Sequence, residues 1–134
     1  MKSYRELEIY KESKKLGVAI HKMSMNLPKF ELFEEGNQIR RSSKSITSMI
    51  VEGYCRRRYK ADFTKYLVYA HAECDETILH LEFLFETASL KDENLFTSLK
   101  LDYEKLSKKI NTFLTWVENN WNEFPTANDP KPET

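Results

Sequence analysis

Glycine and proline are scarce in this chain. Its 134 residues include only 3 Gly and 4 Pro, and three of the prolines (Pro125, Pro130 and Pro132) lie in the last ten residues. A β-sandwich needs turn residues at short, regular intervals, so this scarcity excludes an all-β sandwich. The length is that of one domain.

Cysteine and long apolar runs are also rare. The only two cysteines, Cys55 and Cys74, have a spacing that fits neither a disulfide framework nor a zinc site. No segment approaches the run of about 18 uncharged apolar residues that spans a membrane. Lys2, Arg5 and Glu6 lie where a signal peptide would be apolar. We therefore expect a soluble cytoplasmic protein without membrane contact, cofactor or metal.

The chain has no net charge, but its charges are unevenly distributed. Residues 1–70 carry 15 basic and 8 acidic side chains, whereas residues 71–134 carry 6 basic and 13 acidic ones. The two parts therefore have net charges of +7 and −7. Overall neutrality does not exclude binding of a polyanion by the basic part.

Apolar residues recur in steps of three and four, which is the period of an amphipathic helix. This spacing predicts helices over about residues 4–27, 37–54, 61–88 and 93–121. Four such segments with short connections predict an all-α, antiparallel up-down four-helix bundle over residues 1–122. Residues 123–134 are polar and rich in proline, and we expect them to form a flexible tail.

Enzymatic and metal chemistry find little support in the sequence. A di-iron bundle needs Glu-x-x-His pairs, and none of the three histidines has an acid three residues before it. Glu76 and His80 share one helix face, which offers either half of a metal site or an ordinary surface pair. Four serines recur within the second helix: Ser42, Ser43, Ser45 and Ser48. Without a neighbouring base they favour close helix packing over nucleophilic catalysis, so we predict no enzyme and no metal.

Cations and aromatic residues alternate between the second and third helices. The candidate nucleic-acid-binding residues are Arg56, Arg57, Arg58 and Lys60, with Tyr54 and Tyr59 as stacking groups. Guanidinium groups bind phosphate and aromatic rings stack on unpaired bases, a combination found in single-strand binding. Arg40, Arg41 and Lys44 form a secondary set. The alternative is a solvated basic connector, in which Glu52 pairs with Arg56 one turn later.

The third helix has more apolar residues than one narrow stripe holds. Leu79, Phe83 and Leu84 widen its stripe, and Trp116 widens that of the fourth helix. A helix that is apolar nearly all round is buried on more than one side. The excess indicates either a thick bundle core or an oligomer interface, and we predict a homo-oligomer.

Residues 38–54 resemble the signature of a bacterial family of four helix bundle proteins, also called ribosomal-RNA intervening-sequence proteins. The matching residues are Gln38, Arg40, Arg41, Ser45, Ile46, Glu52 and Gly53, preceded by Pro28 and Glu31. The resemblance continues through Phe63, Leu67, Ala70 and Glu76. This chain has Thr47, Met49 and Glu73 where the family often has Pro, Asn and a small residue.

The resemblance implies an antiparallel four-helix bundle that assembles as a homopentameric ring without known enzymatic activity. Some members of the family are encoded inside intervening sequences of ribosomal RNA genes. The family is similar to the accessory variability protein of diversity-generating retroelements, a basic ring that binds nucleic acid and a reverse transcriptase. The resemblance thus implies RNA or DNA, or a protein such as a reverse transcriptase, as a partner. The competing hypothesis is a protein-binding scaffold without affinity for nucleic acid.

Overall fold

The computed structural model describes residues 3–123, which form four long helices and three short 3-10 turns. In chain order the helices are α1 (Glu8–Ser24), α2 (Glu35–Cys55), α3 (Lys60–Glu86) and α4 (Glu93–Asn119). The 3-10 turns are Tyr4–Glu6, Lys29–Leu32 and Trp121–Glu123. Because residues 3–123 contain no β-strand, the fold of this part is all-α, as predicted. The predicted tail comprises residues 123–134, and all of these except Glu123 lie outside the part of the chain that the structure describes.

The first helix is shorter than the sequence pattern predicts. Ser3 caps a separate 3-10 turn by accepting a bond from the amide of Arg5 at 3.1 Å. Leu7 then takes an extended backbone, with ψ 129°, and is buried. Apolar spacing alone does not reveal this break, because Leu7 remains on the side of the chain that faces the core.

The helices pack in a closed order, in which α2 contacts α1 and α3, α3 contacts α4, and α4 contacts α1. Lys109 links α4 to α1 by donating hydrogen bonds to the carboxylates of Glu8 at 2.8 Å and Glu12 at 2.6 Å. These bonds raise the pKa of Lys109, and the bond from Lys109 lowers the pKa of the Glu8 carboxyl. All these groups are solvent-exposed enough that the pairs fix geometry more than they add stability.

A buried pair of hydroxyl groups joins α2 and α3. The Ser42 hydroxyl bonds the Thr77 hydroxyl at 2.9 Å in the buried interior. Buried polar groups are stable when they pair in this way. Ser42 and the buried Ser43 are therefore packing residues, as predicted, whereas Ser45 is partly exposed and Ser48 is exposed.

The core follows the predicted apolar stripe of α3 until its last turn. The buried residues of this helix are Phe63, Leu67, Ala70, Cys74, Thr77, Leu81 and Leu84. After Leu81 a step of four would place Phe85 in the core, but the buried residue is Leu84, one step of three further on. The Phe85 ring instead stacks on Phe96 at 4.2 Å. The expectation that Leu84 lies at an oligomer interface is wrong, because its side chain is 0% exposed within a single chain.

The α1–α2 and α3–α4 connections are tied together. Glu31 is 3% exposed, and its carboxylate accepts bonds from the Glu35 amide at 3.0 Å and the Ser89 hydroxyl at 2.6 Å. One bond satisfies the first amide of α2, which has no partner within the helix. The other joins residues 58 positions apart in the chain.

The α3–α4 connection contains a strained residue. Ala88 has φ 64°, the left-handed region that favours glycine. Its position directly after the end of α3 is the usual place for a left-handed residue at a helix C-terminus.

None of the helices within residues 3–123 is both long enough and apolar enough to cross a membrane.

Candidate nucleic-acid interface

A tight connection between α2 and α3 holds the candidate arginines at one end of the molecule. The amide of Arg56 donates to Glu52 and Gly53, and that of Tyr59 donates to Arg56. Gly53 permits the close approach of α3, since a Cβ there would lie 2.9 Å from the Cβ of Tyr66. The connection is therefore a short, ordered turn between two packed helices.

Each arginine of the connection lies over a tyrosine ring. The guanidinium-to-ring-centre distances are 5.2 Å for Arg56 over Tyr66, 4.0 Å for Arg57 over Tyr54 and 5.9 Å for Arg58 over Tyr59. Arg56 also pairs with Glu52 at 3.6 Å, and Arg57 donates to the Tyr54 carbonyl at 3.1 Å. Such stacking holds the guanidinium groups in place.

Tyr54 differs from its expected role. Its side chain is 2% exposed and contacts Phe63 edge-on at 6.4 Å. A ring in the core cannot stack on a base, so the expectation for Tyr54 is wrong and its role is to support Arg57. Tyr59 is 44% exposed and keeps an accessible face.

The start of the chain adds cations and aromatic rings that the sequence pattern did not indicate. Arg5 lies 4.7 Å from the ring centre of Tyr4, and Lys14 lies 5.7 Å from that of Tyr10. Tyr4 contacts Tyr10 at 5.1 Å and Tyr54 at 6.5 Å, which joins these residues to the arginine connection. In the sequence, the one indication of these contacts was the spacing of Tyr10 and Lys14, which are one helical turn apart.

The first turns of α3 extend the same surface. Lys65 lies 5.5 Å from the ring centre of Tyr66 and 6.0 Å from that of Tyr69, and these two rings contact each other edge-on at 5.7 Å. Lys60 begins α3 and is partly exposed. We call the resulting surface the cation-tyrosine end, and its members are Tyr4, Arg5, Tyr10, Lys14, Arg56, Arg57, Arg58, Tyr59, Lys60, Lys65, Tyr66 and Tyr69.

The structure separates the secondary basic set. Arg40 donates to the Leu32 carbonyl at 2.6 Å and the Ser24 hydroxyl at 3.0 Å, so it anchors the α1–α2 connection. Arg41 lines a polar cleft of about 300 Å³ that also contains Glu73 and Glu76. Burial and then the neighbouring Glu76 raise the pKa of Glu73. Arg40 and Arg41 thus have surroundings unlike those of the cation-tyrosine end.

Lys44, the third member of the set, lies in a groove between α1 and α2. The groove has a volume of about 920 Å³, and Tyr4, Tyr10 and Tyr66 of the cation-tyrosine end also line it. Lys44 is exposed and bonds the Nδ1 atom of His21 at 3.0 Å. The groove is formed by two helices together, so no single stretch of sequence indicated it.

The predicted interface residues other than Leu84 are exposed. The exposed fractions are 47% for Leu79, 48% for Phe83 and 41% for Trp116. Leu79 and Phe83 are one helical turn apart on α3 and share a face. The Trp116 ring stacks on Phe113 at 6.3 Å.

The cysteine and histidine side chains singled out in the sequence can be compared with their surroundings in residues 3–123. Burial raises the pKa of the Cys74 thiol to about 12, so this thiol stays protonated and unreactive at neutral pH. His80 bonds Glu35 at 2.7 Å rather than forming a metal site with Glu76. Among the described residues, no group of three or more histidine, cysteine and acidic side chains is arranged to hold a metal ion.

Comparisons with known proteins identify the family. A solved structure of a protein of unknown function from the S23 ribosomal protein family of Bacteroides thetaiotaomicron is 27% identical, with a TM-score of 0.70. The similarity covers 80% of this chain and 95% of that one. No curated protein matches the sequence. The family model described as 23S rRNA-intervening sequence protein matches residues 5–112. Neither description names an enzymatic activity, and since the match spans most of its length, the chain belongs to the 23S rRNA-intervening sequence protein family.

Proposed function

We propose that the protein is a non-enzymatic, cytoplasmic nucleic-acid-binding protein that works as a homo-oligomer of antiparallel four-helix bundles. The observation that carries this proposal is the cation-tyrosine end, where two distant chain segments bring together seven cations and five tyrosines. Sequence alternation alone favours a solvated connector. The addition of Arg5 and Lys14 from the start of the chain favours a binding surface.

The chemistry of this end suits RNA or DNA. Phosphate groups accept charge-assisted bonds from guanidinium donors, and exposed tyrosine faces stack on bases. Tyrosine rings already hold the arginines in position, so less side-chain freedom is lost on binding than for unrestrained arginines.

Self-association would strengthen the binding. An oligomer repeats the cation-tyrosine end once for each chain, and several weak contacts to one polyanion then act together. Exposed Leu79, Phe83 and Trp116 supply apolar surface for such contacts. We infer a ring, with the pentamer that the family resemblance implies as its size.

A salt series tests the binding proposal. The variant Arg56→Gln/Arg57→Gln/Arg58→Gln should bind labelled single-stranded RNA or DNA more weakly than the parent. Each lost phosphate contact should flatten the plot of log affinity against log salt by about 0.7. A matched control, Lys91→Gln/Lys105→Gln/Lys108→Gln, removes the same charge from exposed positions elsewhere. Equal slopes for the arginine variant and the parent would refute the assignment.

Light scattering tests the self-association. We expect a mass that is a multiple of the 15.9 kDa chain. Leu79→Glu/Phe83→Glu should lower that mass, because a charge in an apolar contact is costly, and Leu101→Glu on the exposed side of α4 is the control. A monomeric parent would contradict the oligomer.

The second candidate is an oligomeric protein-binding scaffold, for instance one that holds a reverse transcriptase. The exposed apolar residues of α3 and α4 favour it. An assembled parent without salt-dependent affinity for RNA or DNA is the result that this candidate predicts.

A further inference from the structure

The groove between α1 and α2 has a composition that the proposed function does not explain. Its walls combine apolar residues, among them Val18 and Met49, with three lysines, Lys14, Lys22 and Lys44. Its acid is Glu52, which pairs with Arg56. A surface that served only to bind phosphate would have no use for the apolar residues.

The groove is continuous with the cation-tyrosine end. Tyr66 lines the groove and also carries the guanidinium of Arg56 at 5.2 Å. Tyr10 lines it and lies under Lys14. A ligand that leaves the arginines can therefore enter the groove past the rings of Tyr66 and Tyr10, beside the Glu52–Arg56 pair.

We propose that this groove is the path of a single strand of RNA or DNA, which continues from the arginines along α1 and α2. This inference rests on the proposed nucleic-acid binding and specifies its substrate class. In a duplex the bases are stacked inside, and only the phosphates would reach the lysines. In a single strand the unstacked bases contact the apolar floor and the half-buried rings of Tyr10 and Tyr66, while the lysines bind phosphate.

The size and charge of the groove fit this occupant. A volume of about 920 Å³ is at the upper end of the range for ligand pockets. Gly17 lines the groove, and α1 packs against α2 at this point, since a Cβ on Gly17 would lie 3.7 Å from the Ser43 carbonyl. The lysines complement a polyanion, and the apolar floor complements bases.

A charge series tests the path. Lys14→Gln/Lys22→Gln/Lys44→Gln is compared with the parent and with the Lys91→Gln/Lys105→Gln/Lys108→Gln control, using labelled 20-nucleotide oligo(dT), oligo(U) and a 20-base-pair duplex. If all three lysines bind phosphate, oligo(dT) affinity should fall about 100-fold at 0.1 M salt, with a flatter salt slope. The parent should prefer the single strands to the duplex, and circular dichroism confirms that each variant is folded.

The apolar floor has its own test. Val18→Glu places a carboxylate at a position that is 48% exposed, and Leu101→Glu, at 49%, is the matched control on α4. We expect Val18→Glu to weaken single-strand binding at least tenfold and to leave duplex binding nearly unchanged. Photo-crosslinks from 4-thiouridine in the RNA should map to Tyr10, Met49 or Tyr66.

The outcomes separate this inference from the proposed function. If the arginine variant loses affinity while both groove variants bind as the parent does, or if crosslinks map to residues 56–59 alone, the groove path is overturned and nucleic-acid binding stands. Equal affinity of the parent for duplex and single strand also overturns the path. A parent that binds neither probe overturns both proposals, and an acidic protein helix then becomes the occupant that the groove fits.

Discussion

Loss of the Glu31 carboxylate should destabilise the fold strongly, although the residue lies in a short connection. The carboxylate is 3% exposed and accepts two bonds, from the Glu35 amide and the Ser89 hydroxyl. A bond to a charged group contributes about 1.5–3 kcal/mol. Glu31→Ala removes both bonds but also removes a buried charge, so we expect a net cost of about 3 kcal/mol.

A double-mutant cycle isolates the bond that ties the two connections. Ser89→Ala leaves one oxygen of Glu31 without its donor, which costs about 2 kcal/mol. Combined with Glu31→Ala, it should add little, so the coupling between the two positions should be about 1.5–3 kcal/mol. Urea unfolding followed by circular dichroism gives each value, at one protein concentration because oligomers link stability to concentration.

Two results would refute this reasoning. Mutations at independent sites add to within about 0.5 kcal/mol, so a coupling free energy below that value would mean that the Glu31–Ser89 bond contributes nothing. The exposed control Glu34→Ala should change the free energy of unfolding by less than about 0.5 kcal/mol. If its effect equalled that of Glu31→Ala, the loss would come from removing a negative charge and not from the lost hydrogen bonds.

Further predictions concern strain, reactivity and the core. Ala88→Gly should raise the free energy of unfolding by about 0.5–1 kcal/mol, because φ 64° is unstrained for glycine; a loss of stability would contradict it. At pH 8 Ellman's reagent should react quickly with one thiol per chain, that of the exposed Cys55. Cys74 should not react, because it is buried and its pKa is raised to about 12, and two fast equivalents would show that it is accessible. Leu84→Ala should cost about 3 kcal/mol and leave the oligomer mass unchanged, whereas an altered mass with full stability would return Leu84 to the interface.

The helices were largely predictable because their apolar period is regular. On α3 the steps from Phe63 to Leu81 each place a residue in the core, and the spacing alone specifies them. The spacing does not decide between Leu84 and Phe85, since steps of three and four are both helical. That choice depends on Phe96, a residue of another helix, which stacks on Phe85.

The candidate site was predictable only in its local part. The run of arginines between α2 and α3 is visible in the sequence, and so is the pairing of Glu52 with Arg56. The contribution of Tyr4 arises from tertiary packing, which brings its ring 6.5 Å from that of Tyr54, and Lys14 joins through the groove between α1 and α2. The burial of Tyr54 depends on tertiary packing in the same way, because its ring contacts Phe63 of α3.

The aromatic contacts beneath the arginines also give the protein an optical property. Trp121 is 6% exposed and lies 6.3 Å from Phe63, which contacts the Tyr54 ring that carries Arg57. Tyrosine emission from this end should therefore transfer to Trp121, whereas Trp116 is 41% exposed and open to acrylamide quenching. After quenching of Trp116, the remaining fluorescence reports on the cation-tyrosine end, so occupancy of the arginines can be followed in the unlabelled chain.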